Sequence, residues 1–206
     1  MSKKADTILF RPMTAADVGS VPIGHQGEAD EVRERIDDIG SSALLAFDAE
    51  QHVGQLQFRL YDPGTRSPNS LWDPLYWADF GERKLGLPER TLAVFCYHVG
   101  QLDDTEERDS QYQGRGIGLR LLDHFLDWAT QEGFNAVVAK AVPDPRPIMA
   151  FMGGLPASTY QERGFEAVAS WVDADLKIVA TEKGIIPNDV SPDDAARVTC
   201  VVRRLR

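Results

Sequence analysis

The sequence predicts a single α+β domain, and three observations carry the prediction. A chain of 206 residues is long enough to bury one sizeable core. Short β-branched and aromatic runs recur along its length, with TLAVFCYHV from Thr91 to Val99 the most strand-like. Between such runs lie helical patterns, of which Ile117, Leu121, Leu122, Phe125, Trp128 and Ala129, spaced by threes and fours, form the clearest.

The elements follow in order. Thr7–Arg11 reads as a first strand stopped by Pro12. Thr14-Ala15-Ala16-Asp17 resembles a capping box and begins a short helix that ends near Gly19. Glu28–Asp38 is a charged helix with Val32, Ile36 and Ile39 on one stripe, closed by Gly40. Ser42–Phe47 and His52–Leu60 read as a hairpin, the second strand setting Val53, Gln55, Gln57 and Arg59 against Gly54, Leu56, Phe58 and Leu60, so one buried face is expected. Residues 61–90 form a long connection with turn clusters and an aromatic stretch, the kind of insertion that serves as a binding loop. Trp72, Tyr76 and Trp77 are its candidates for lining a substrate pocket, with core packing and a dimer contact as the other readings. Beyond the strand at 91–99 and the helix after Ile117, strands are expected at Phe134–Val142, Phe165–Val168, Ala169–Val172 and Arg197–Val202.

Composition narrows the function. The hydrophobic fraction of 43% and charged fraction of 26% are ordinary for a soluble globular protein. No apolar run approaches the ~20 residues of a membrane helix, and the N-terminus shows no signal-peptide pattern. Cys96 and Cys200 sit inside strand-like runs and are expected to be buried free thiols, which points to a cytoplasmic protein. A net charge of −10 argues against nucleic acid and suits a cationic acceptor such as an amine. Neither HExxH nor CxxC occurs, and His25, His52 and His124 show no ligand spacing, so no metal is expected.

The chain is organised around Gln113-Gly114-Arg115-Gly116-Ile117-Gly118-Leu119, glycines that enter a helix just after a strand. Glycine admits close approach to the backbone, and unpaired N–H groups at a helix start attract an anion such as phosphate. A turn that merely opens the helix is the plain alternative. A dinucleotide fingerprint would need glycine or alanine at Leu119, and a P-loop would need Gly-Lys-Ser/Thr. Gln-x-x-Gly-x-Gly resembles the pyrophosphate-binding motif of the GNAT superfamily, the acetyl-CoA-dependent N-acetyltransferases. Tyr160-x-x-x-Gly164-Phe165 looks like the same family's Tyr-x-x-x-Gly-Phe signature, and the resemblance covers residues 7 to about 175.

The resemblance implies one GNAT-like domain over residues 1–206. Its fold would be a central mixed, mostly antiparallel twisted sheet flanked by helices and splayed between the strands 91–99 and 134–142. It implies that Gln113 to Leu119 hold the pyrophosphate of acetyl-CoA, and that backbone N–H groups around Val99 and Gly100 polarise the thioester carbonyl. Tyr160 would act as general acid, a phenol of pKa ~10 protonating the departing thiolate. His98 is the candidate base, with Asp103, Asp104 and Glu106 as rivals. The expected activity is direct acetyl transfer to a primary amine, small molecule or peptide, with a homodimer left open. A non-catalytic acyl-CoA sensor and a nucleotide-phosphate binder are the competing readings. The proline-rich stretch before Tyr160 departs from the family pattern, lacking its usual asparagine.

Overall fold

The computed structural model describes residues 8–66, 78–81, 83, 85–105 and 107–205. Among the described residues seven strands form one sheet: β1 (Ile8–Pro12), β2 (Ala43–Asp48), β3 (Gln51–Leu60), β4 (Thr91–Val99), β5 (Ala136–Ala141), β6 (Glu166–Val172) and β7 (Arg197–Arg204). Their spatial order is β1-β2-β3-β4-β5-β7-β6. The helices are α1 (Ala29–Ile39), α2 (Ile117–Gln131), α3 (Arg146–Met152), α4 (Ala157–Gln161), α5 (Ala174–Glu182) and α6 (Pro192–Ala195). The chain divides into two compact units, Met1–Gln57 with Tyr97–Trp128, and Phe58–Cys96 with Ala129–Arg206, and β3 and β4 each run through the division.

In the first unit, β1 pairs antiparallel with β2, and β2 with β3. Val32, Ile36 and Ile39 of α1 turn inward, as their spacing requires, and the first two pack with Met13, Leu45 and Phe47. Gly40 ends the helix in the left-handed conformation, its N–H donating to the Ile36 carbonyl at 2.8 Å. The turn after β1 is a 3-10 turn, Ala15–Asp17, shorter than the helix expected there. Asp17 accepts a two-pronged bond from Arg11 at 2.6 and 2.7 Å and the Thr14 N–H at 2.8 Å. Burial opposes its charge, but these bonds outweigh that cost and bring its pKa down to about 2. The folded value lies below the unfolded one, so this stabilisation is full above pH ~4 and is lost as pH falls through ~2. Asp17→Asn is therefore expected to lower unfolding free energy by about 2 kcal/mol at neutral pH and by little at pH ~2, checked by denaturant melts.

Strand β3 corrects the expectation of one buried face: its residues from His52 to Phe58 are all buried. Its polar face is covered by the segment at Pro22–Gln26, whose carbonyls and amides satisfy Gln55 and Gln57.

In the second unit, β4 pairs parallel with β5 from Thr91↔Ala136 to Val94↔Ala139. The ladder stops there, although β4 goes on to Val99 and β5 to Ala141, which is the expected splay. β5 pairs antiparallel with β7, and β7 with β6, which is one strand where two short ones were expected. α3 and α4 are separate helices, broken at Gly153 in the left-handed conformation. Ala78, Phe80, Leu85 and Leu87 of the long connection pack on Ala93, Val138 and Cys200. Over its described residues that connection covers the sheet.

Candidate active site

The glycine loop has the geometry of an anion cradle. A 3-10 turn at Ser110–Tyr112, capped by Asp109 through the Gln111 N–H, delivers the chain to Gln113. Gly114 and Gly116 have φ of +70° and +71°, where a side chain is strained, and a Cβ on either would meet nothing within 4 Å. The loop is open to solvent on the side where those side chains would stand. The Arg120 N–H donates to the Gly116 carbonyl at 3.1 Å and opens the helical ladder. The N–H groups of Ile117, Gly118 and Leu119 thus precede the ladder and carry the positive end of a fifteen-residue helix. Arg115 lies 3.8 Å from Asp48 and over the Tyr112 ring, while Arg120 stacks on Phe10.

The end of β4 lies beside this helix start, for a Cβ on Gly118 would stand 3.8 Å from the Val99 side chain. Gly100 turns the chain at φ +81°, and its N–H donates to the Val53 carbonyl at 2.8 Å. The Gly100 N–H expected to polarise a thioester carbonyl is thus bonded to β3. Alternation along the strand aims the Val99 N–H the other way, off β3.

The cover over β3 supplies polar groups that the sequence did not reveal. Gln57 donates to the Ile23 carbonyl at 3.0 Å and accepts the His25 N–H at 3.3 Å, and Asp104 accepts the Ile23 N–H at 2.9 Å. His98 is buried with its Nε2 3.1 Å from His25 Nδ1. Burial, then the neighbouring His25, pushes its pKa down to about 3. The base role expected of His98 thus falls on a buried imidazole whose Nε2 is turned to His25. Asp103 is exposed and bonded to Thr105, Asp104 is committed to the loop, and Glu106 lies outside the described residues.

His52 anchors the turn beyond β4, its Nδ1–H donating to the Gln101 carbonyl at 3.1 Å. Burial drives its pKa down to about 4, against that bond. The unfolded chain takes up the proton first, so this site costs up to about 3 kcal/mol as pH falls from ~6.5 to ~4. His52→Gln is expected to flatten unfolding free energy over that interval, and a variant with the wild-type pH slope would refute the assignment.

Tyr160 lies in the second unit, on α4, only 1% exposed and edge-on to Phe165 at 5.0 Å between centroids. Its carbonyl receives the N–H groups of Arg163 and Phe165 at 2.9 and 3.2 Å, and Gly164 between them has φ +76°. The Tyr-x-x-x-Gly-Phe pattern is thus a helix ending that needs glycine at Gly164. The same unit holds a cavity of about 630 Å³ lined by Leu60, Tyr61, Arg66, Leu85, Arg90 and Thr91. Trp72, Tyr76 and Trp77 lie outside the described residues. Also unforeseen is Lys140, 8% exposed on β5 and 3.5 Å from Asp173.

An open mixed sheet and a glycine loop that opens a helix beside the end of β4 define the class: an α+β fold with an anion-binding helix start. The chain belongs to the Acetyltransferase (GNAT) family, whose profile matches residues 20–152. Solved structures agree on the fold. An arylalkylamine N-acetyltransferase-like protein from mosquito shares 17% identity at a TM-score of 0.54, over 96% of this chain and 100% of that one. An N-acetyltransferase from Staphylococcus aureus shares 13% at 0.51, over 98% and 100%. A putative acetyltransferase from Salmonella typhimurium, solved with its cofactor acetyl-CoA, shares 13% at 0.51, over 98% and 95%. No curated protein sequence matches. Both cysteines are buried and neither is in a disulfide, and among the described residues no helix is long and apolar enough to cross a membrane.

Proposed function

We propose that the protein is an acetyl-CoA-dependent N-acetyltransferase of the cytoplasm that acetylates a primary amine. The open, positive-φ cradle at Gly114 and Gly116 carries the reading, because a Cβ there would stand where a phosphate must approach. The loop from Gln113 to Leu119 holds the pyrophosphate through the backbone N–H groups that follow Gln113, whose own N–H donates to the Ser110 carbonyl at 3.1 Å. The Val99 N–H, on the edge of β4 turned away from β3, orients the acyl arm.

Bound acetyl-CoA supplies the activated acyl group: the amine nitrogen bonds to the carbonyl carbon and sheds one proton to solvent, the C–S bond breaks, and the thiolate takes up a proton. Tyr160 holds that proton at its hydroxyl. The acidic surface draws a cationic amine toward the protein. Tyr160→Phe is expected to lower kcat by roughly tenfold to a hundredfold at neutral pH with acetyl-CoA affinity unchanged. Full turnover in that variant at every pH would remove the acid assignment.

The burial of Tyr160 favours a second reading, an acyl-CoA sensor that binds without transferring. It predicts acetyl-CoA binding with no amine-dependent thiol release.

A further inference from the structure

The cavity of about 630 Å³ in the second unit opens where β3 ends and β4 begins, and the acyl transfer proposed above does not use it. Its volume falls within the roughly 300–1,000 Å³ of small-molecule sites. Leu60, Tyr61, Leu85 and Leu87, all half-buried, give it apolar walls. Arg66, Arg83 and Arg90 also line it, with Glu89 the one carboxylate among its described lining residues. Three arginines thus border one cavity of a chain whose formal net charge is −10.

Two of these arginines are fixed in place. The Arg83 guanidinium lies 4.0 Å over the Trp171 ring and donates to the Phe80 carbonyl at 3.1 Å. The Arg90 guanidinium lies 4.6 Å over the Phe134 ring and donates to the Glu132 carbonyl at 3.3 Å. Each carbonyl takes one of five N–H donors, and stacking on a ring leaves the edge of the planar group open to an anion. Among the described residues neither arginine has a carboxylate partner. Arg66 differs, standing 3.9 Å from Asp79.

The backbone at Arg90 is unusual as well. Its φ of +52° lies in the left-handed region, and bonds on either side hold it there. Asn135 donates its N–H to the Arg90 carbonyl at 3.1 Å and its side-chain amide to the Glu89 carbonyl at 2.8 Å. Glycine would take this conformation without strain, so the turn itself does not call for the side chain found there.

We propose that this cavity binds a small organic anion, a carboxylate or phosphate ester carried on an apolar body. The body lies against the leucines, and the head group takes paired N–H bonds from Arg83 and Arg90. Leucine walls alone would accept a neutral apolar molecule, and arginines alone an inorganic ion. Their combination selects a molecule with both parts.

The test titrates the full chain by calorimetry, without CoA, using octanoate, octyl phosphate, octanol and octylamine. At least one of the two anions should bind once per chain with a dissociation constant below about 1 mM, and the tighter of them identifies the head group. Octanol should bind at least tenfold more weakly, and octylamine not at all. Arg83→Gln and Arg90→Gln should each weaken the anion about tenfold. Both fall on exposed side chains, and Arg90→Lys, which keeps the charge but not the planar fork, should also weaken it. Arg33→Gln, which removes a cation from α1, should leave binding unchanged. Failure of both anions to bind, octanol as tight as either anion, or equal losses in Arg33→Gln and the cavity variants would overturn the site. No readout involves CoA or acyl transfer, so this inference and the proposed function fail separately.

Discussion

Gly116→Glu is expected to raise the acetyl-CoA dissociation constant at least a hundredfold, a loss of about 2.7 kcal/mol. Two effects act together. At φ +71° any side chain pays backbone strain of about 1–2 kcal/mol. The glutamate then projects into the open space of the cradle and sets a carboxylate where the loop N–H groups would meet phosphate. Because a Cβ there meets no atom within 4 Å, the fold itself should survive, with an unchanged far-ultraviolet circular dichroism spectrum. Calorimetric titration decides. Wild-type affinity in a folded Gly116→Glu protein would show that the loop does not hold the pyrophosphate.

The second large effect is expected at Gly100, where alanine should cost about 3 kcal/mol or more of stability. Its φ of +81° is strained for alanine, and the added Cβ would stand 2.5 Å from the Asp109 carbonyl oxygen. That oxygen belongs to backbone. The Asp109 N–H donates to the Gly100 carbonyl at 2.8 Å, and the Gly100 N–H donates to Val53, so neither side can move without breaking a bond. Asp109 also caps the turn that leads into the glycine loop, so acetyl-CoA affinity should fall along with stability. A Gly100→Ala protein with wild-type melting and affinity would contradict this account of the turn.

The parts of the molecule that the sequence announced are those governed by local rules. Gly114, Gly116 and Gly164 are backbone requirements, and a glycine that must take positive φ can be recognised from its place between a strand and a helix, or at a helix end. The helical stripes of α1 and α2 follow from their period. What stayed hidden depends on partners distant in sequence. Gln55 and Gln57 alternate as a solvent face should, and are buried because residues thirty and more positions away bring carbonyls to them. The Gly100 N–H could be assigned to a ligand until its bond to Val53 was seen. His25 shares no period with His98, and only the loop folded back on β3 puts the two rings together. Lys140 sits in a run of small apolar residues, and its partner Asp173 lies beyond two helices and a strand.

The central claim is that this fold transfers an acetyl group rather than only binding its carrier. The most direct measurement incubates the wild type and Gly116→Glu with acetyl-CoA and a panel of amines that includes arylalkylamines, polyamines, amino acids and peptide N-termini. It follows free CoA thiol and the mass of each amine together. The account predicts amine-dependent thiol release by the wild type, matched by an amine product one acetyl group heavier, and neither with Gly116→Glu. Saturable acetyl-CoA binding with no thiol release above background for any amine would contradict transfer and favour the sensor.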